Sequence, residues 1–424
     1  MKALPVIAVA AALLIVAAAL CIPGSTEERR LPLEFHVPDV SDMDVKDGAV
    51  PSGSVNALGW DCFDAADGGN ILLSPYGIYF ALGMLANGSE SGSEAEKEML
   101  GILHSDGIDS LNAYLDSLLA ANGEEFVSCG MVMVDRSAVA GTSVSEDFAK
   151  AVVRYCGGAV SEADFSGDLD AVKALIKEWV SEKTCGLIPD YESIATEDTV
   201  CDLLNVVHFK GSWNVPFDSD LTYDEYFHGD GGSVSLVPMM HGTLKGVRYH
   251  EDSRFRGIQL EYDSELREGL CMRIILPKDP SSTEVLKEWK SESWENREAF
   301  MGKLGSPALV DADISLPKLD LSESLDLKKI LSELGLSESA TFSGMIDGVP
   351  LSVEGGKHQA RMIVDEEGTE AAAVTEITME KLSVIPGSDL SIVEFRCDIP
   401  FLMAIVDEET GADLFVGYVG DASL

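Results

Sequence analysis

From residue 54 onward the chain mixes two hydrophobic rhythms. Between Asp168 and Thr184, the apolar residues Val172, Leu175, Ile176, Trp179 and Val180 recur at the spacing of one helix face, and Gly186 follows as a stop. Leu111, Tyr114, Leu115, Leu118 and Leu119 make a second such stripe. Both predict helices with one face toward a core. Apolar runs rich in β-branched and aromatic residues predict strands over Leu203–Phe209, Leu270–Leu276, Ala360–Val364, Phe401–Val406 and Leu414–Val419. No repeat of about 20–50 residues recurs, which excludes a solenoid. The elements lack the strict strand-helix alternation of a doubly wound sheet, and strands continue to the last residues. The pattern therefore predicts one mixed α+β domain over 54–424.

The first 24 residues stand apart. Lys2 precedes an unbroken apolar run from Ala3 to Ile22, and Pro23-Gly24 closes it, the pattern of an export signal. At about 20 residues the run is also long enough to span a bilayer as an uncleaved anchor. Ala17 and Ala19 frame a cleavage site, so cleavage is favoured over anchoring; lipid attachment at Cys21 is disfavoured by the bulky Leu20 before it. Residues 25–53 are polar, acidic and proline-bearing (Glu27, Glu28, Pro38, Asp39, Asp42, Asp44), the composition of a tether. These features predict an extracellular protein or one attached to the cell surface, with membrane attachment open through the N-terminal run.

Charge narrows the partners. Seventy-three acidic residues against 30 Lys and Arg give a formal charge of -43, which repels a phosphate backbone and argues against nucleic-acid binding. With 46% hydrophobic residues, the 424-residue chain is nonetheless rich enough to build a large core. Eight cysteines at wide spacing, with no Cys-x-x-Cys, fit neither a small disulfide scaffold nor a zinc module. Removal of the leader would leave an odd set: Cys62, Cys129, Cys156, Cys185, Cys201, Cys271 and Cys397.

Enzyme motifs are missing. The string nearest to a nucleophile elbow, Gly88-Ser-Glu-Ser-Gly92, places Glu90 where the serine should stand. His36, His104, His208, His228, His241, His250 and His358 never fall at the spacing that sets two ligands on one helical face, so no metal site is expected. Gly211, Gly242 and Gly246 are isolated and form no phosphate cradle. Carboxylates are too numerous for any two to stand out as a catalytic pair. Neither an enzyme nor a cofactor is predicted.

One stretch is more specific. Residues 365–375 read Asp-Glu-Glu-Gly-Thr-Glu-Ala-Ala-Ala-Val-Thr, after a strand pattern ending at Val364 and before the irregular stretch Glu376–Ser391. The alanines would suit the frayed end of a helix. They would equally suit a strand waiting to enter a sheet, because Thr369, Ala371, Ala373 and Thr375 share one face and are small enough to slide into an interior. Gly368 would supply a hinge at its start.

Here the chain resembles a serpin, a serine-protease inhibitor. Glu366, Glu367, Gly368, Thr369, Glu370, Ala371, Ala372 and Ala373 are similar to the hinge that opens the reactive-centre loop of inhibitory members. Asn70-Ile-Leu-Leu-Ser74-Pro75, Asn205-Val-Val-His208-Phe209-Lys210-Gly211-Ser-Trp213 with Pro216-Phe217, Met239-Met240, Leu316-Pro317-Lys318 and Pro400-Phe401-Leu402-Met403 follow in the family's order. The likeness covers residues 54–424. Lys177 departs from it, where the family often carries asparagine.

The resemblance implies a metastable α+β fold with three β-sheets, eight to nine helices and an exposed loop over about residues 366–391. A protease would attack that loop, form an acyl-enzyme and be carried off as the cleaved loop enters the central sheet. Seventeen residues from Glu366 to Leu382, at about 3.3 Å each, would give a strand of about 55 Å. Counting places the reactive bond at Leu382–Ser383, for a chymotrypsin- or elastase-like pocket; one residue less gives Lys381 and a trypsin-like target. The segment Ser383–Pro400, with Pro386-Gly387, is longer than in many members. By the same resemblance, Ser74, Asn205 and His358 form a hydrogen-bonded group beneath the sheet that parts as the loop enters. Glu366 and Lys318 pair at the insertion point beside Trp213. A non-inhibitory carrier or chaperone and a cysteine-protease target are the alternatives; the small residues of the hinge favour inhibition. Over Glu94–His104, Lys97 is the one Lys or Arg, so no heparin-type cofactor is expected. A monomer is expected.

Overall fold

The computed structural model describes residues 35–36, 38–41, 43, 53–119, 122–123, 125–264, 269–281, 283, 285–290, 292–305, 309–369 and 392–423. The candidate leader, the hinge beyond Thr369 and the reactive bond Leu382–Ser383 lie outside them. Among the described residues are nine α-helices, and the strands connect into three hydrogen-bonded sheets. Contacts divide the chain into two compact units, one of 1–65, 74–208 and 324–359, the other of 66–73, 209–323 and 360–424.

In the first unit, helix Pro75–Asn87 begins where Ser74 accepts a hydrogen bond from the Gly77 N–H, with proline in the first turn, where its missing donor costs nothing. The helix is buried over most of its circumference. Tyr76 stacks on Phe80 and meets Phe126 edge-on, at centroid distances of 4.7 and 4.8 Å. Helix Leu169–Lys183, capped by Asp168, carries the first predicted stripe. Its Val172, Ile176, Trp179 and Val180 pack against Met131, Met133, Leu204 and Val206. Full burial of an aliphatic side chain of this size is worth about 1.5–3 kcal/mol. Lys177, on the opposite face, reaches Asp190 at 2.8 Å.

The sheet beneath this helix runs Phe35–His36, Gly158–Ala163, Phe126–Asp135, Cys201–Phe209. Its first strand lies within the predicted tether: Phe35 and His36 pair with Ser161 and Val160. Edge pairing uses backbone groups, which a polar composition neither shows nor prevents.

The second unit is mostly sheet. Leu270–Pro277, Phe401–Asp407 and Ala412–Val419 are buried at every position, which is why they read as unbroken apolar runs. They pair antiparallel in series, with Phe255–Asp263 on one flank and Ile71–Leu73 on the other. The 18-residue strand Val234–Glu251 pairs with Tyr223–His228, Leu309–Pro317 and Phe255–Asp263.

Candidate functional site: a seated hinge and a polar group

The hinge lies in the second unit. Strand Lys357–Val364 ends at Asp365, which folds the chain back: its N–H donates to the Gly368 carbonyl at 2.9 Å, and its side chain accepts from the N–H groups of Glu367 and Gly368. Gly368–Thr369 then forms a two-residue strand, with Thr369 paired to Val364 on one side and to Gly211 on the other. The loop's first residues are thus already part of a sheet.

In the seated hinge the φ of Gly368 lies outside the left-handed region, and a Cβ there would lie 2.1 Å from the Gly211 carbonyl oxygen. Close strand approach requires the glycine. Thr369 is 2% exposed, and its Oγ1 lies 2.6 Å from the Tyr262 hydroxyl. Tyr262 stacks on Trp213 at 4.7 Å, and burial raises its phenol far above the ordinary range. Trp213 donates from Nε1 to the Asp365 carbonyl and from its backbone to that of Glu367.

Glu366 completes the turn. One carboxylate oxygen accepts from Lys318 Nζ at 2.6 Å, the other from Thr222 Oγ1 at 2.8 Å. Burial alone would raise the Glu366 carboxyl, but the hydrogen bonds from Lys318 and Thr222 overcome it and hold the group below its ordinary value. Thr222, just before the strand Tyr223–His228, and Tyr262, within Phe255–Asp263, carried no sequence signal; their side-chain bonds to Glu366 and Thr369 assign them to the hinge.

The second group lies in the first unit. The Ser74 backbone N–H donates to His358 Nε2 at 3.0 Å. Burial pushes the His358 imidazole down to about 4, so it is neutral and able to accept that bond. Asn205 joins differently than expected: its Nδ2 donates to Ser128 Oγ at 3.3 Å, while its buried Oδ1 has no partner among the described residues. Cys201–Phe209 is the last strand of its sheet. The strand Lys357–Val364 is flanked by Leu319–Asp326 and by the short hinge strand, so much of its second edge also has no partner strand among the described residues. Six described cysteines are free thiols, with burial the main cause raising each. In the helix Glu94–Ile102, Lys97 is tied to Glu94 at 2.6 Å.

A family profile, Serpin (serine protease inhibitor), matches residues 58–422 and takes in both units. The chain is a serpin. It is 32% identical over 378 residues to an uncharacterized serpin-like protein of Thermococcus kodakarensis, covering 86% of this chain and 84% of that one. It is 30% identical to serine proteinase inhibitor A3K of Cavia porcellus, covering 83% of each. The fold matches native, stressed Arabidopsis AtSerpin1 with a TM-score of 0.74 at 24% identity, over 90% of this chain and 99% of that one. A cleaved serpin 42Da matches equally, at 0.74 and 24%, over 89% and 100%. Members of the family are generally serine protease inhibitors, and the α+β serpin fold is established for this chain.

Proposed function

We propose that this serpin is a suicide inhibitor that traps a serine protease as an acyl-enzyme by drawing its cleaved loop into the sheet. The observation that carries this reading is the seated hinge. The pairs Gly368–Ser212 and Thr369–Gly211 fix a register with one neighbour, and Thr369–Val364 fixes it with the other. Continued without a bulge, that register would set Thr375 opposite Asn205 on one strand and opposite His358 on the other. By alternation along a strand Thr375 would share the face of the buried Thr369, so insertion would bring a hydroxyl to the group where Asn205 Oδ1 has no partner among the described residues. Displacement of the acylated protease would then pull its serine from the oxyanion hole and stall deacylation.

Leu382–Ser383 is the proposed reactive bond, for a chymotrypsin- or elastase-like protease, with Lys381 the alternative for a trypsin-like one. The apolar run Ala3–Ile22 supports an extracellular or surface-attached place of action. A carrier function is the second reading, since a thyroxine-binding globulin in complex with thyroxine has the same fold, at a TM-score of 0.73 and 23% identity. Incubation with chymotrypsin and then trypsin, followed by a denaturing gel and intact mass, separates these. A covalent adduct and a released peptide beginning at Ser383 are expected. Loop cleavage without an adduct by either enzyme, and without a gain in melting temperature, would favour the carrier.

A further inference from the structure

Strand Ile392–Arg396 begins where the chain returns from the loop predicted over about residues 366–391, and little holds it. Among the described residues it pairs with one strand, Leu309–Pro317, and of its five residues only Phe395 is buried. Arg256 lies over the Phe395 ring and donates to the Glu394 carbonyl at 3.0 Å. The ladder ends where the Cys397 N–H donates to the Ser315 carbonyl at 2.8 Å. Beyond these contacts, the end of the strand is tied sideways by a polar row that crosses the sheet.

In register, Arg396 lies opposite Ser315, and Ser315 lies opposite His241 on the strand Val234–Glu251. Ser315 Oγ is 3.1 Å from His241 Nδ1, and the His241 ring stacks on Tyr223 at 4.3 Å. Arg396 reaches past both to the strand Tyr223–His228, where its Nη2 donates to Glu225 Oε2 at 2.8 Å. Its Nε donates to Asp398 at 3.1 Å. The other ring nitrogen of His241 is unsatisfied: Nε2 is buried, has no hydrogen-bond partner among the described residues, and lies 3.8 Å from that same Glu225 Oε2. At this distance no hydrogen bond is made.

A neutral imidazole makes no strong demand on that oxygen. An imidazolium does, because its Nε2–H becomes a charged donor in a partly buried place, and the oxygen is already taken by Arg396. We propose that His241 is a proton-operated release for the strand Ile392–Arg396: neutral, it leaves Glu225 to hold Arg396, and protonated, it draws Glu225 away and loosens the end of the strand.

The surrounding charges set the direction. The ionisable groups facing His241 are Tyr223 and Glu225 on Tyr223–His228 and Arg396 on Ile392–Arg396, with Asp398 bound to Arg396. Asp313 and Glu394 lie on the same face, one step further along their strands. Burial lowers the imidazole from its ordinary value, Glu225 opposes this, and Arg396 adds to it. The unfolded chain therefore takes up the proton first, and the folded arrangement weakens as pH drops below about 6.5. Arg396 keeps its charge throughout. If the chain is the inhibitor proposed above, this strand anchors the far end of the loop, and acid would slacken that anchor without any cleavage. That consequence rests on the inhibitory reading; the release itself does not.

The test is hydrogen exchange followed by mass spectrometry on the full chain without protease. Peptides covering 392–397 are compared at about pH 8 and about pH 5.5, after correction for the intrinsic exchange rate. Protection there should fall about threefold at the lower pH, whereas the buried strand Phe401–Asp407 should not change. His241→Gln should keep the protection at both pH values, and Arg396→Gln should lack it at both. Glu225→Gln leaves the imidazole in place and should also lack it at both, which supplies the comparison if His241→Gln folds poorly. Equal protection at the two pH values in the unaltered chain, a pH response retained in His241→Gln, or full protection in Arg396→Gln would overturn the proposal. A parallel loss in Phe401–Asp407 would overturn it too, by showing that acid loosens the whole unit instead of this strand.

Discussion

The hinge and the Ser74–His358 group make different uses of polar atoms. At the hinge, both Glu366 carboxylate oxygens have donors, Thr369 is bonded to Tyr262, and the Trp213 indole N–H has a carbonyl. In the first unit, Asn205 Oδ1 and Asp202 Oδ2 are buried without partners among the described residues, and His358 is kept neutral against its ordinary tendency. The hinge is a finished structure; the other group is an unfinished one. Free energy left unrealised at Asn205 is what an incoming strand could recover, so the contrast shows where metastability would be stored and where insertion would begin. Substitutions at the two places should therefore fail differently.

The largest effect is expected at Thr369. Arginine cannot occupy a position 2% exposed and hydrogen-bonded to a buried tyrosine without an unpaired charge in the sheet, at a cost of several kcal/mol. Thr369→Arg should be cleaved by the protease yet yield almost no adduct on a denaturing gel, and its melting temperature before cleavage should fall, because Thr369 is already seated in the uncleaved chain. An adduct in the normal yield would remove Thr369 from the hinge. Gly368→Ala should be nearly as severe, because its methyl would meet the Gly211 carbonyl oxygen at 2.1 Å and push the two-residue strand out.

On the other side of the comparison, the effect is on stability and depends on pH. His358 is lowered from 6.5 to about 4, so the unfolded chain binds its proton first, and stability falls as pH drops from about 6.5 toward 4. Asp202 is raised from 3.8 to about 6, so the folded chain binds its proton first, and stability rises as pH drops through about 6. Each shift corresponds to about 3 kcal/mol, and over this window they oppose each other. Asp202→Asn should be more stable than the unaltered chain at neutral pH and lose stability more steeply on acidification. His358→Gln should show the reverse slope. Denaturant melts at several pH values measure this; parallel pH profiles for all three proteins would contradict the assignment.

How much of this was legible beforehand followed the chemistry of each element. Leu270–Leu276, Phe401–Val406 and Leu414–Val419 were visible as strands because burial on both faces leaves an apolar run. The stripe ending at Val180 was visible because one helix face is buried. Tyr223–His228 was not, since Tyr223 and Tyr226 face solvent and Phe227, next to its end, is its one buried residue. Phe35–His36 was hidden by its acidic surroundings. At the site, the residues from Glu366 to Thr369 were found by resemblance, but Thr222, Tyr262 and Ser128 depend on contacts between residues far apart in sequence, as in the bond between Tyr262 and Thr369. Asp202 was unremarkable in a chain with 73 acidic residues; only its unpaired burial distinguishes it.

The smallest effect expected is at the ion pair. Glu366 and Lys318 have side chains 15% and 33% exposed, so solvent screens their attraction, and pairs of this kind contribute about 0–1 kcal/mol. Removing Lys318 alone should cost more than the pair is worth, because Glu366 retains its burial and loses its main donor. Lys318→Met should lower the melting temperature and raise the Glu366 carboxyl, whereas Lys318→Met with Glu366→Gln should restore part of the stability. Glu366→Lys goes beyond loss of the pair: it places two cations together at the turn and, on the proposed function, should give a substrate or a polymer-former. A thermal double-mutant cycle with a coupling near zero would assign the seating of the hinge to Thr369 and Gly368, leaving the ion pair no part in it. A coupling of about 1 kcal/mol, reduced by salt, would make the pair a latch that resists early opening.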